Sequence, residues 1–438
     1  MGPMGLCALT PEWADTLHSE LPAHEGILVS TAHDRHILRD LAKCYAEVAA
    51  KPVQGERREL WRRHNSLQRT RPLLYVRWLA AWHEAPESRL ECQDPFFRGH
   101  ESFLRQMLFQ DTLGDDYIIE PWITQRASVV TPPEGLWGLP VKHSPKTDPR
   151  GSWKFDPSIV SLEDAEKMVF PHHVIDEEAT ERNAARLRDA VGDILPIAVD
   201  RSPAYAGWNA DISTLLAQLR GLDQLMLDMM DHPPWLHRVL RFMSDGILTT
   251  HDEAEAAGDW RLCNHQNQAM PYALELPDPS ASLEPVTRDR LWVFFAAQEY
   301  TLISPAMHDE FLLQYQLPIM AKFGLAAYGC CEDLTRKIDM LRKIPNLRRI
   351  AVTPRANVAK CAELIGTDYV LSWRPNPAQM ICCGFDRDLI RKVVNDAMEA
   401  AKSCIVDITL KDVETVQGRP GNLRKWVQIV RSISDRYV

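Results

Sequence analysis

Nowhere does the chain run apolar for the roughly 18 residues that a membrane span requires, so no membrane partner is expected. Basic clusters are missing as well. Lys and Arg are interspersed with acids and the formal net charge is -10, which leaves no field to hold a phosphate backbone, so no nucleic acid partner is expected. No strand-like run leads into a Gly-rich phosphate turn, which counts against an open doubly wound sheet, the runner-up architecture. Met1 to Thr10 lacks both a basic n-region and an apolar stretch of signal-peptide length. Together with ten cysteines spread along the chain, this fits a reducing compartment with free thiols, and a cytoplasmic location is expected.

What is present suffices for a large core. Of 438 residues, 45% are hydrophobic and 25% charged, within the globular range. Residues 34–70 are rich in Leu, Ala, Glu and Arg and read as two helices, ending before Arg71-Pro72, where proline disfavours further helix. The apolar run Leu73 to Val76 reads as a buried strand. From about 85 to 190 the chain is rich in proline and aromatics, including Trp122, Trp137 and Trp153, with a strand expected at Tyr117 to Ile119. That stretch reads as an elaboration on a core. Residues 1–70 are then an N-terminal helical extension to a unit spanning 71–438.

Beyond 190, strand-like and helical runs alternate, the mark of βα units and a parallel sheet. Strands are expected at Ile194 to Val199, Leu291 to Ala296, Leu325 to Tyr328, Leu347 to Val352, Tyr369 to Ser372 and Cys404 to Leu410. The intervening helices include two between Ile212 and Thr250, broken at Pro233-Pro234, and others at about 305–323, 356–365, 386–402 and 420–436. Counted from Leu73 there are about eight strands, each followed by a helix, which suits a single α/β (β/α)8 TIM barrel.

In such a barrel the chemistry sits just after each strand. The first strand leads to Trp82, His83 and Glu84, and the one ending at Val199 leads to Asp200 and Arg201. Further round stand Gln298 and Glu299, then Cys330, Cys331 and Glu332, Thr353 and Arg355, Trp373, Arg374 and Asn376, and finally Lys411, Asp412 and Glu414. Cys330-Cys331-Glu332 is the sharpest signal: thiolates are soft ligands, and a catalytic zinc needs three protein ligands with a fourth position open. Glu299 and Asp412 are the candidates to complete a set with Cys330 and Cys331. Cys7, Cys44, Cys92, Cys263, Cys361 and Cys404 stand singly and read as small buried hydrophobes. Among fifteen histidines, His83 beside Glu84 is the one expected to act. Trp82, Tyr205, Gln298, Tyr328 and Trp373 are candidates for binding substrate.

Four stretches carry a resemblance: Arg71-Pro72 with its strand, Ile303-Ser304-Pro305 leading to Gln316-Leu317-Pro318, Tyr328-Gly329-Cys330-Cys331-Glu332, and Leu410-Lys411-Asp412-Val413-Glu414-Thr415-Val416. Over about residues 34 to 436 the chain resembles the uroporphyrinogen decarboxylase superfamily, which implies a (β/α)8 barrel. True decarboxylases of that family carry an R-Q-A-G-R loop after the first strand. Here that place reads Arg77 to Glu84, with an acid that would repel substrate carboxylates. The other branch moves methyl groups between a small methylated compound or a thiol and a corrinoid protein, often with zinc held by a His-x-Cys turn and a later Cys. The matching turn is Tyr328-Gly329-Cys330, and Lys411-Asp412 stands where the later cysteine is found. The resemblance therefore implies a methyltransferase with zinc, a corrinoid carried by a partner protein, and a homodimer. Glu299, His83, Glu84, Asp412 and Lys411 are its catalytic candidates. A metal-free decarboxylase or lyase acting on a small carboxylic acid, held by Arg77, Arg201 or Arg355, is the alternative.

Overall fold

The computed structural model describes residues 32–145 and 154–437, with the side chain of Trp208 outside the description, as are Cys7 and Trp153. In chain order the strands are β1 (Leu73–Val76), β2 (Ile123–Arg126), β3 (Lys142–Ser144), β4 (Lys154–Asp156), β5 (Ile197–Asp200), β6 (Trp292–Phe295), β7 (Leu325–Tyr328), β8 (Leu347–Val352), β9 (Val370–Trp373) and β10 (Ile405–Leu410). Six of them form a parallel sheet in the order β1-β10-β9-β8-β7-β6, β2 pairs in parallel with β5, and β3 with β4 makes a short antiparallel hairpin.

β1, β6 and β7 are continuous apolar runs because both faces are covered. Successive side chains alternate between those faces. Val76, Phe295, Tyr328, Val352, Trp373 and Leu410 pack with the surrounding helices in the main core. Trp292, Phe294, Ala296, Leu325 and Ala327 form a separate inner cluster. On β8 to β10 the inner face turns polar. Arg349 holds the Asp407 carboxylate at 2.6 Å, Ser372 Oγ donates to the same carboxylate at 2.8 Å, and His64 Nε2 lies 3.4 Å away. Burial works against charge on Asp407, but the Arg349 guanidinium, His64 and the Ser372 hydroxyl together outweigh it and hold the carboxyl below its usual range.

No strand pairing joins the six-stranded sheet to the β2–β5 pair among the described residues. The open edge of β1 is satisfied by side chains: Leu74 N donates to Asp116 Oδ2 at 2.7 Å and Val76 N to Asp115 Oδ2 at 2.9 Å. The expected strand at Tyr117 to Ile119 is therefore absent, since the two aspartates before it take the β1 donors it would have paired with, and the strand forms later, at β2. Burial pushes the Asp115 carboxyl up to about 7. Between β5 and β6 the irregular stretch 262–271 fills the gap, with Asn264 Nδ2 donating to Asp200 Oδ1 at 2.6 Å and Gln266 N to Trp292 O at 3.3 Å.

Helix Ala32–Ala49 packs against helices Pro95–Asp111 and Glu177–Val191, with Leu38, Ala42, Phe97, Leu104 and Leu187 between them. The N-terminal helices thus share a core with the Pro- and aromatic-rich stretch. Asp94 and Asp176 begin two of these helices by accepting from Phe96 N and Ala179 N, as N-caps do. Where two helices were expected between Ile212 and Thr250 there are three, Ser213–Arg220, Leu222–Asp231 and Pro233–Ala256, because Gly221 at φ 86° breaks the first from the second. The helix expected at 305–323 contains a π-turn at Asp309–Leu313 upstream of the buried Gln316 and the in-helix Pro318.

Candidate functional site

The end of β7 is built on Gly329. Its φ is 99°, and a Cβ there would meet Leu334 Cδ1 at 2.5 Å, so no other residue turns the chain at this point without displacement. The turn presents Cys330 and Cys331 with their sulfurs 3.6 Å apart. Lys411, leaving β10 on the inner face and 3% exposed, places Nζ at 3.3 Å from each sulfur and 3.3 Å from Asp412 Oδ2. Glu332 is fully buried below them. It accepts from Ala297 N and from Cys330 N, each at 2.8 Å, and so locks the ends of β6 and β7 together.

A second acidic centre lies after β6. Ser213 Oγ donates to Glu299 Oε2 at 2.8 Å, and Thr214 Oγ1 lies between Glu299 Oε1 at 3.1 Å and Asp211 Oδ2 at 2.9 Å. Burial first, then the Glu299 charge, raises the Asp211 carboxyl well above its usual range, and burial raises that of Glu299 as well. Both carboxyls are thereby biased towards the neutral form.

Beside these lies a cavity of about 240 Å³ whose walls include Tyr75, Arg77, Tyr117, Trp122, Gln266 and Gln268. Tyr75 and Tyr117 stack at 5.4 Å. Arg374, which follows β9, donates to the Cys330 carbonyl and to Gln268 Oε1, joining this cavity to the β7 turn.

The structure brings Cys330, Cys331, Lys411 and Asp412 together, with Glu299 in the neighbouring carboxylate pair. It sends other expected site residues elsewhere. Tyr328 and Trp373 lie on the outer face by strand alternation; the Tyr328 hydroxyl donates to Gln316 Oε1 at 2.8 Å and meets His308 Nε2 at 2.9 Å. Trp82 packs edge-on against Trp78 at 5.4 Å in the outer core, and Tyr205 against Trp137 at 5.6 Å. Gln298 is half-buried on the turn Gln298–Tyr300. His83 is exposed, its Nδ1 3.1 Å from Ala80 O. Glu84 accepts from Gly418 N at 2.7 Å and Val416 N at 3.2 Å; burial opposes its charge, but these bonds and Thr415 hold it below the usual range, so it anchors the loop after β10. Arg201 is taken by Glu177 and Asp259, and Arg355 is exposed. Gln266 and Gln268 escaped the sequence reading because the stretch around them has no periodicity. The proline-, asparagine- and glutamine-rich composition there signals only a loop.

Among the described residues no three His, Cys, Asp or Glu side chains come together as a metal-holding group. Two sulfurs flanking an ammonium fall short of three protein ligands, and Glu332 and Glu299 are committed to backbone amides and hydroxyls. Among the described residues no helix is long and apolar enough to cross a membrane.

Neither a protein-family model nor a curated protein sequence matches the chain. Among solved structures it is similar to a methyltransferase from Methanosarcina mazei, at 12% identity and a TM-score of 0.47, over 87% of this chain and 98% of that one. So slight a likeness bears on neither fold nor activity.

Proposed function

We propose that the chain is an enzyme of the methyl-transfer branch its sequence resembles, with its eight parallel strands closed as a (β/α)8 barrel and its site at their C-terminal ends. The reading is carried by Lys411, a buried ammonium held between two sulfurs at a strand end. A cation fixed there favours negative charge on whatever heteroatom gains or loses the methyl group, and it does so in a site largely closed to water. In the forward sense the carbon–heteroatom bond breaks as the acceptor's bond to carbon forms. Lys411 donates hydrogen bonds to the departing atom, and the Asp211 and Glu299 carboxyls, which burial biases towards the neutral form, stand at the neighbouring strand end. In the reverse sense Lys411 stabilises a thiolate substrate. A corrinoid carried by a partner protein supplies the methyl acceptor or donor, a part of this reading that rests on the resemblance alone. Zinc, also implied by the resemblance, would need a third donor from outside the described residues.

The alternative, metal-free loss of a carboxyl group, is favoured by one observation: Arg77, 9% exposed, lines the cavity at the end of β1. The two readings part in one assay. The full chain is incubated with methylcobalamin and 2-mercaptoethanol, and separately with cob(I)alamin and a panel of methylated aromatics, amines and thioethers, while the corrinoid spectrum is followed. Catalysed gain or loss of the cobalt-bound methyl group supports methyl transfer. Spectra that never depart from the protein-free control, together with CO₂ release from small carboxylic acids, would replace it with the decarboxylase reading.

A further inference from the structure

We infer that the cavity is built for a small organic carboxylate, with its anionic head held by Arg374 and Gln268 and its apolar body against Tyr75, Tyr117 and Trp122. This names the substrate class of the site proposed above and rests on that placement of the site at the strand ends.

The first observation is a set of donors left over. Arg374 is 2% exposed, two of its nitrogens donate to the Cys330 carbonyl and Gln268 Oε1, and its Nε has no hydrogen-bond partner. Gln268 is 7% exposed and its Nε2 also lacks one. A buried donor without a partner costs about 1–3 kcal/mol, and here two belong to side chains in contact with each other. Gln268 lines the cavity and Arg374 lies against it, behind the wall, so a ligand bringing two acceptor oxygens to this corner would satisfy both, which is what a carboxylate offers to a guanidinium and an amide.

The second observation is backbone strain at the same place. Gln268 has φ 65°, a left-handed conformation unfavourable for a residue with a Cβ. Such strain persists where surrounding structure imposes it, and it gathers at binding sites. Glycine would relieve it, so the glutamine side chain is what the position retains at that cost.

The third is the charge and shape of the walls. Arg77 lines the cavity, and Arg374, Lys411 and Arg77 follow β9, β10 and β1, three adjacent strands of the sheet. Among the described residues the one acid lining the cavity, Glu120, is engaged by Tyr272 at 2.8 Å and by Arg58 at 3.2 Å. Tyr45, Phe103 and Met107 join Tyr75, Tyr117 and Trp122 on the wall, which suits a flat or apolar body, while Gln110, His265 and Asn267 add polar wall.

Calorimetric titration of the full chain with benzoate, benzamide and inorganic phosphate tests this without any turnover. Benzoate is expected to bind at least tenfold more tightly than either of the others. Gln268→Gly relieves the strain but leaves Arg374 without its Oε1 acceptor, so it should remain folded with little net change in thermal stability while losing at least tenfold in benzoate affinity. Arg374→Lys, which keeps the charge and loses the planar fork, should lose at least tenfold as well. Equal affinity for benzoate and benzamide, phosphate binding as tightly as benzoate, or an unchanged benzoate affinity in Gln268→Gly would overturn the inference. Benzoate binding as expected without methyl transfer to or from a corrinoid would leave the carboxylate site standing and remove the methyl-transfer reading; the converse result would do the reverse.

Discussion

Two polar layers lie on the inner faces of β8, β9 and β10, a few residues apart along the strands, and they are built on opposite principles. In the lower layer Arg349, Ser372 and Asp407 are paired with one another and with Asn65 and His64, and of their polar side-chain atoms only His64 Nδ1 lacks a partner. In the upper layer Arg374 Nε, Gln268 Nε2 and Thr353 Oγ1 lack partners, Gln268 is strained, and Lys411 lies against sulfur. Closed networks hold a core in one arrangement, whereas leftover donors beside a cavity are where a ligand is recognised. The same three strands therefore carry a structural centre at one level and a chemical one at the next.

The largest effect separating the layers is expected from Asp407→Ala. It strands Arg349 in a fully buried position, and breaking a buried pair by removing one partner typically costs about 3–5 kcal/mol. Urea unfolding measures it, and a loss under about 1 kcal/mol would erase the distinction between the layers. Lys411→Met should behave oppositely: methyl transfer falls at least tenfold, while replacing a buried cation by an apolar chain of similar length leaves urea stability within about 1 kcal/mol of the wild type.

A smaller effect is expected at the edge of β1. Asp115 titrates at about 7 in the folded chain against an ordinary value of 3.8, so the folded state binds the extra proton. Its contribution to stability is present below about pH 4, declines as pH rises towards 7, and is constant above that. Asp115→Asn should flatten that part of the stability–pH curve, measured by urea midpoints between pH 4 and 8. A curve unchanged from the wild type would show that Asp115 is charged throughout. Smallest of all is His83→Ala. Its exposed ring meets Ala80 O and adds a minor charge contribution to Glu84, and both stability, within about 0.5 kcal/mol, and turnover should be unaffected. A tenfold loss of activity would return His83 to the site.

The strand ends were legible because each strand is a short apolar run with a clear stop, and that alone placed Cys330, Cys331, Arg374 and Lys411 at one end of the sheet. The direction of each side chain was not. Strands buried on both faces lose the alternation that separates inside from outside, so Tyr328 and Trp373 read as pocket residues while their hydrophilic neighbours Ser372 and Arg374 hold the inner face. Asp115 and Asp116 defeated the reading differently, by taking the backbone donors of β1 with side chains, a pairing with no periodic trace. The residues 262–271 could only be read as a loop, yet they supply Gln268.

The most direct test of the account is the rate of methyl exchange with methylcobalamin, measured side by side for the wild type, Lys411→Met and Asp407→Asn at a temperature where all three are folded. If the upper layer is the chemical centre, Lys411→Met loses at least tenfold and Asp407→Asn stays close to the wild type for as long as it remains folded. Equal rates in wild type and Lys411→Met, or a loss confined to Asp407→Asn, would contradict it.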